Sequence, residues 1–150
     1  MLLNYALLGS SALLIVIQDV RKQTLPLFSL IVFAGTSFYN AVAASNPECF
    51  WSAVFIAAVF ATCQGVFYLI RREPAIGWGD LVLSPFCGLW LYAHEIPSYL
   101  ISTGIFALTT GLFWRHRWGL RTFPMAPALL FGLGFIAFMR YLFTENSIIL

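Results

Sequence analysis

The chain contains two aspartates, Asp19 and Asp80, and each stands at the edge of an apolar segment. Asp19 follows the apolar run from Leu2 to Ile17, and Asp80 follows Gly77-Trp78-Gly79 directly. Two carboxylates that lie close together hold one proton between them, because both cannot ionise easily. The ionised member can take a proton from water while the protonated member donates a hydrogen bond to a substrate carbonyl. Such a pair would hydrolyse an amide without a metal ion or a covalent intermediate.

A simpler interpretation exists for each aspartate taken alone. A carboxylate at the end of a membrane helix reaches interfacial water and can pair with a cation nearby in the chain. Asp19 would then pair with Arg21 or Lys22, and Asp80 with the Arg71-Arg72 pair. The two interpretations differ in whether the aspartates meet each other.

The residues around Asp80 favour the chemical interpretation. Glycine permits a positive φ and lets another backbone approach closely, which an extended peptide substrate beside a carboxylate requires. Gly77, Trp78 and Gly79 are therefore candidate substrate-binding residues. We also expect Asp80 near a helix N-terminus, where the helix dipole favours the ionised carboxyl.

The composition predicts a membrane protein. The chain has 150 residues, of which 61% are hydrophobic and 9% charged, and its mean hydropathy is +0.87. Soluble domains carry roughly 25% charged residues, so most of this chain must face lipid. At roughly 20 apolar residues per membrane-spanning helix, the length allows about six helices with short loops. We predict one all-α integral membrane domain over residues 1–150.

Six apolar segments can be marked along the chain. Helices are the default, because lipid cannot satisfy backbone polar groups and a closed barrel needs alternating strands. The fourth segment is short for a full span, and we expect it to gain length from the Gly-rich stretch before it or from His94 to Pro97 after it. The predicted segments are Leu2 to Ile17, Leu27 to Ala44, Phe50 to Ile70, Leu81 to Tyr92, Pro97 to Trp114 and Phe123 to Phe143.

Basic residues fall on alternate loops. Because cytoplasmic loops carry an excess of Lys and Arg, these loops are predicted to be cytoplasmic, with both termini on the other side. The same assignment places Asp19 and Asp80 on the cytoplasmic side. Of the eight basic residues, Arg140 departs from the pattern, and the seven that follow it are Arg21, Lys22, Arg71, Arg72, Arg115, Arg117 and Arg121.

The sequence offers little other chemistry. The three cysteines form no C-x-x-C pair, so neither a zinc module nor a disulfide framework is indicated. His94 lies on the face opposite the aspartates and His116 in an Arg-rich loop, and no Ser-His-acid or H-E-x-x-H arrangement is present. We therefore expect no metal ion, no cofactor and no nucleic-acid partner. The lipid bilayer is an expected partner, and the sequence does not indicate an oligomeric state.

Three stretches together resemble the catalytic core of the type IV prepilin leader peptidase family. Asp19-Val20-Arg21 followed by Leu25-Pro26 resembles the family's Asp-x-Arg segment. Gly77-Trp78-Gly79-Asp80 resembles the G-x-G-D signature of intramembrane aspartic proteases, and Phe123 to Gly132 resembles the proline-rich opening of the family's last helix. Order, spacing and topology agree over nearly the whole chain.

This resemblance implies that Asp19 and Asp80 are the catalytic pair of a metal-independent aspartic endopeptidase. It implies a multi-pass protein of the inner membrane that cuts the leader of a type IV prepilin or pseudopilin at the cytoplasmic face. The nearer likeness is to small six-helix members without the zinc and methyltransferase region, so we expect protease activity alone. Two positions depart from the family pattern: Val82 replaces a lysine, and Leu27 replaces an asparagine.

Two other functions stay open from the sequence. One is a small transporter or proton-path subunit, which would hold acidic residues at mid-membrane depth, whereas here they cluster at segment ends. The other is a catalytically inactive membrane component of pilus assembly, which the departure at Val82 keeps open.

Overall fold

The computed structural model describes residues 2–22, 24–72, 76–118 and 124–146, and helices account for most of these residues. The all-α prediction is confirmed for these ranges, and the predicted segments each correspond to one helix. Residues 121 and 123, used above for the charge pattern and the third motif, lie outside the described ranges. The helices are α1 (Leu2–Lys22), α2 (Leu27–Ala43), α3 (Pro47–Arg71), α4 (Trp78–Gly88), α5 (Ile96–Trp118) and α6 (Ala126–Asn146).

Among the residues that the structure describes, two stretches are long and apolar enough to cross a membrane, Pro47–Ile70 and Ala93–Arg117. They cover most of α3 and α5, and no more than 22% of either apolar stretch is buried inside the protein. A core helix of a soluble protein would bury most of its apolar surface, whereas these helices present theirs outward. The fold is therefore compatible with a membrane environment.

Consecutive helices pair as three helical hairpins, α1 with α2, α3 with α4, and α5 with α6. The hairpins join because α6 also packs against α1 and α4, and α4 also packs against α2. Helix α4 thus lies among α2, α3 and α6. Each helix contributes a side chain with 0% exposure to one shared core, namely Ile15, Phe33, Ile56, Leu83, Tyr99 and Leu129.

Helix α4 is short and begins at Trp78, inside the Gly-rich stretch. This confirms the first of the two expected extensions of the fourth segment. Pro85 lies within the helix and has no N–H to donate to the carbonyl of Leu81. The Ser84 hydroxyl donates to that carbonyl instead, at 3.0 Å, and so satisfies it inside the apolar core. The helix continues only to Gly88.

The expected extension of the fourth segment towards Pro97 is wrong. Residues Ala93–Glu95 form a 3₁₀ turn, and Pro97 already belongs to α5. Close packing accompanies the end of α4, because a Cβ added at Gly88 would lie 2.6 Å from the Cα of Ala53 on α3. The hairpin α3–α4 is therefore built around a backbone-to-backbone approach at this glycine.

Candidate functional site

Asp19 lies in the last turn of α1 and is 4% exposed. Its Oδ2 accepts a hydrogen bond from the backbone N–H of Ala126 at 3.1 Å. Ala126 is the first residue of α6 and is fully buried. The contact joins two residues 107 positions apart and explains how the end of α1 is fixed against the start of α6.

The sequence at the start of α6 provides this N–H for a carboxylate. The first N–H groups of a helix have no partner within the helix. Pro127 has no N–H, and the N–H of Ala128 donates to the carbonyl of Met125 at 2.9 Å. Ala126 thus presents an N–H at a helix N-terminus, a position that favours negative charge. Asp19 occupies it.

Asp80 lies in the first turn of α4 and is 8% exposed. It is close enough to Asp19 and to the Ala126 N–H for both to influence its ionisation. Its Oδ1 is buried and has no hydrogen-bond partner among the described residues. A buried polar oxygen without a partner is uncommon in folded proteins and calls for a functional explanation.

The pKa of each carboxyl group is raised above its ordinary value, and both groups lie outside the two long apolar stretches. Burial raises the pKa of Asp80 most, the charge of Asp19 raises it further, and the Ala126 N–H lowers it. Burial also raises the pKa of Asp19, and the same N–H opposes that rise. Two buried carboxyls beside one N–H form an arrangement that favours a single proton shared between them.

The ion-pair interpretation of the aspartates fails for the cations whose side chains are described. Arg21, Lys22 and Arg72 are exposed, and none of them forms a salt bridge with Asp19 or Asp80 within the described ranges. The side chain of Arg71 lies outside the described residues. The aspartates are therefore brought to each other and to α6 rather than to these surface cations.

The glycines before Asp80 act by small size rather than by unusual backbone angles. Gly77 caps α4 with φ −63° and ψ 143°, and a Cβ there would lie 3.0 Å from Oδ2 of Asp80. A Cβ at Gly79 would lie 2.7 Å from Cδ1 of Leu25, so the absence of a side chain lets Leu25 pack against α4. The expected use of positive φ is wrong for both glycines. Their contacts tie the first motif to the second.

Three further positions from the sequence analysis lie at the surface. Trp78 is 72% exposed at the start of α4, beside the buried Asp80. Val82 and Leu27, which depart from the family pattern, are 48% and 71% exposed. Neither departure removes a side chain from between the two aspartates.

Sequence reasoning missed the roles of Ala126, Gln64 and Arg140, because each depends on a partner far away in the chain. The spacing of Pro124 and Pro127 was the available signal for Ala126. Gln64 on α3 accepts the backbone N–H of Ile76 at 2.8 Å, and no local pattern indicates this contact. The contacts of Ala126 and Gln64 hold the segments that carry the aspartates.

Arg140 departs from the predicted charge pattern because it has a buried partner. Its Nε donates to Oε1 of Glu95 at 3.0 Å, and its Nη2 donates to the carbonyl of Trp90 at 3.0 Å. The guanidinium also lies 4.6 Å from the ring centroid of Tyr92. Arg140 is 14 residues along α6 from Ala126, about 21 Å at 1.5 Å per residue, so this cluster is remote from the aspartates.

Within the described ranges, no three His, Cys, Asp or Glu side chains come together as a potential metal site. The polar groups that the site itself presents are the two carboxyl groups and the Ala126 N–H. General acid–base catalysis of amide hydrolysis needs one proton acceptor and one proton donor facing the same carbonyl. The pair can supply both.

Comparison with known proteins gives a family but little beyond it. The chain is 29% identical over 162 residues to cytochrome c oxidase subunit 1 of Synechocystis sp., an alignment that covers 89% of this chain and 29% of that protein. The chain thus corresponds to less than a third of the length of that relative. No solved structure matches. The model of the type IV leader peptidase family matches residues 6–112, more than half of the chain and a range that contains both aspartates, so the chain belongs to the type IV leader peptidase family.

Proposed function

We propose that this family member is a membrane-embedded aspartic endopeptidase that removes the leader of type IV prepilins or pseudopilins at the cytoplasmic face. One observation carries the proposal: Asp19 accepts the backbone N–H of Ala126, and Asp80, from a different hairpin, lies close enough to Asp19 and to that N–H for both to influence its ionisation. Family membership supports a peptidase of the type IV leader class. Asp19 and Asp80 are the proposed catalytic residues.

The geometry supports different roles for the two carboxyls. Asp19 is the ionised member, because it accepts the Ala126 N–H at a helix N-terminus. Asp80 lies in the first turn of α4, where the helix dipole favours ionisation, but its Oδ1 is buried without a partner among the described residues, and this cost outweighs the dipole, so Asp80 is the protonated member. A neutral carboxyl donates a hydrogen bond, which is what a scissile carbonyl requires.

Hydrolysis then follows with every proton accounted for. Water attacks the scissile carbonyl carbon, its proton passes to Asp19, and the proton of Asp80 passes to the carbonyl oxygen. The resulting gem-diol returns a proton to Asp80 as the C–N bond breaks, and Asp19 gives its proton to the leaving amine. The pair returns to its starting state, with Asp19 ionised and Asp80 protonated.

The proposed orientation follows the charge pattern. Exposed Arg21 and Lys22 end α1 beside Asp19, and exposed Arg72 directly follows α3. Arg140, at the far end of α6, is paired with Glu95 and does not contradict the pattern. We propose that the six helices lie in the inner membrane, with Asp19 and Asp80 at helix ends on the cytoplasmic side, outside the hydrocarbon core, and both termini opposite.

The proposed substrate segment lies against the start of α4. Gly77 and Trp78 are exposed while the adjacent Asp80 is buried, so a peptide backbone can approach the carboxyl from this side. Gly79 belongs to the same turn but is occupied by its contact with Leu25, so its role in substrate binding is indirect. An exposed tryptophan offers apolar contact to the hydrophobic helix of a pilin precursor.

The alternatives receive less support. A proton-path subunit would place its acids at mid-membrane depth, whereas Asp19 lies in the last turn of α1 and Asp80 in the first turn of α4. An inactive assembly component was motivated by the departure at Val82, but that side chain lies at the surface and the aspartates remain together.

The test is cleavage of purified prepilins by the detergent-solubilised protein and by Asp19→Asn and Asp80→Asn variants. Each variant should lose cleavage by about 100-fold or more, the usual contribution of a general acid or base. Glu48→Gln is the matched control, because Glu48 is an exposed carboxylate at the opposite end of the hairpin α3–α4. Wild-type cleavage by either folded Asn variant would remove that aspartate from the mechanism.

A further inference from the structure

Helix α3 carries a buried amide, Gln64, on the face that packs against α4. The apolar members of that face recur at helical spacing and include Ile56 and Phe60, which are 0% and 7% exposed. Gln64 follows Phe60 by one turn and is 8% exposed, while its neighbours Cys63 and Gly65 are exposed. The amide therefore points into the protein, one turn beyond the apolar pair Ile56 and Phe60.

An amide at position 64 is explained by the backbone that it faces, at Ile76. Helix α4 begins only at Trp78, so Gln64 faces the non-helical segment that precedes the helix. Non-helical N–H groups in an apolar environment need an acceptor, and an apolar side chain on α3 would provide none. The Oε1 of Gln64 accepts the N–H of Ile76 at 2.8 Å and meets that need.

This hydrogen bond acts four residues before Asp80. Ile76 is followed by Gly77, which caps α4, and the N–H of Leu81 donates to the Gly77 carbonyl at 3.1 Å. Fixing Ile76 therefore fixes where α4 begins and how its first turn is placed. That turn carries Asp80.

We propose that Gln64 is a positioning residue for Asp80: by holding the Ile76 N–H, it sets the start of α4 and keeps the Asp80 carboxyl beside Asp19 and the Ala126 N–H. This inference deepens the proposed function and rests on it for its effect on cleavage. The residue does not touch the substrate, but the turn it fixes also carries Trp78, so its removal should lower kcat by a larger factor than it raises KM.

The variants are chosen by shape and by hydrogen-bonding capacity. Gln64→Met keeps the length of the side chain and removes the amide acceptor. Gln64→Asn keeps the amide but is one methylene too short to reach Ile76, and it decides the question if the Met variant does not fold. Gln64→Glu keeps an acceptor oxygen at the same reach in either protonation state. Thr62→Val is the matched control, since Thr62 is a polar residue on the exposed face of the same helix.

We expect kcat for prepilin cleavage to fall about 10- to 100-fold in Gln64→Met and Gln64→Asn, as small misplacements of catalytic groups do. Gln64→Glu should restore most of the rate, and Thr62→Val should cleave as the wild type does. Wild-type kcat in both the Met and the Asn variants would overturn the proposal. So would failure of Gln64→Glu to exceed Gln64→Met, because the rescue is specific to an acceptor.

A second readout does not depend on cleavage. The chain has two aspartates, so ¹³C-carboxyl labelling of Asp reports them alone. In Gln64→Met the upper titration step should move to lower pH, because Asp80 withdraws from the charge of Asp19. An unchanged titration would overturn the positioning role, whereas a changed titration in a protein that cleaves no prepilin would contradict only the proposed substrate.

Discussion

The charged groups near the start of α6 and those near Arg140, further along the same helix, are arranged in opposite ways. At one end, the aspartate end, two buried carboxyl groups, Asp19 and Asp80, lie beside the N–H of Ala126, which donates to Asp19. At the other, the Arg140 end, the guanidinium of Arg140 meets the carboxylate of Glu95. Helix α6 thus begins beside two neighbouring carboxyl groups, and about four turns later it carries Arg140, which is paired with Glu95.

The difference separates the parts of the fold that stabilise it from the part available for chemistry. At the Arg140 end, Glu95 also accepts the N–H of Tyr92 at 2.9 Å, and Arg140 donates to the Trp90 carbonyl, so the polar groups are satisfied. At the aspartate end, Oδ1 of Asp80 has no partner among the described residues. A buried oxygen without a hydrogen-bond partner lowers stability, and folded proteins retain such groups where activity needs them.

The largest expected effect of the comparison is on the Ala126 N–H. Ala126→Pro removes this donor, and proline is tolerated in the first turn of a helix. A hydrogen bond to a charged group is worth about 1.5–3 kcal/mol, so cleavage should fall roughly 10- to 100-fold. Steady-state cleavage of prepilin by the purified variant measures the loss.

Ala126→Gly provides the matched control, because it keeps the N–H and removes only the methyl group. It should retain far more cleavage than Ala126→Pro does. Equal losses in the two variants would show that packing at this buried position matters and that the N–H does not.

The Arg140 end should show the reverse pattern, loss of stability without loss of chemistry. Arg140→Met leaves Glu95, whose side chain is 11% exposed, without its cation. Because Arg140 itself is 38% exposed and partly screened, the expected loss is about 1–2 kcal/mol in the free energy of unfolding. Thermal unfolding in detergent measures it.

Cleavage at permissive temperature should change by no more than about twofold in Arg140→Met, as for substitutions away from a site. Arg117→Met, an exposed basic residue on α5, is the control for the loss of a positive charge. A loss of cleavage in folded Arg140→Met as large as in Ala126→Pro would contradict the claim that the Arg140 end serves stability and the aspartate end serves cleavage.

The smallest expected effect is on the pH dependence of stability. Because the pKa of Asp80 is raised in the folded protein, folding favours its protonated form. This contribution is present at pH values below the ordinary carboxyl range and is lost as the pH rises through the raised value. As the pH rises from the ordinary carboxyl pKa to the raised pKa of Asp80, about 7, the thermal stability of the wild type should therefore decline. The decline should be smaller in Asp80→Asn. An identical pH dependence in both proteins would contradict the raised pKa.

Much of this fold follows from local pattern. Apolar runs predict the helices, and α2 begins at Leu27 as predicted and ends one residue early, at Ala43. Asp19 was predicted beyond an apolar run and lies in a helix that continues to Lys22, because the last turn of α1 is held by α6 and needs no apolar residues there. Local pattern thus places the elements but not their ends where tertiary contacts prolong them.

The site itself was only half predictable. Residue type and the like position of Asp19 and Asp80 at segment ends indicated the pair. The Ala126 N–H, the Gln64 acceptor and the partner of Arg140 join positions 12 to 107 residues apart, and no local periodicity encodes them. The sequence predicts substrate binding at the two glycines, and the packed structure adds their contacts with Leu25 and Asp80, which no local pattern indicates.

The central claim is that Asp19 and Asp80 share one environment and one proton. Carbon-13 NMR titration of the Asp carboxyls tests it directly, since wild type carries two such groups and each Asn variant carries one. The claim predicts two well-separated steps in the wild type, the upper one above the ordinary carboxyl value of about 3.9. It also predicts that Asp19→Asn moves the Asp80 step to lower pH. Two independent titrations near the ordinary value, each unchanged when the other aspartate is replaced, would contradict the account.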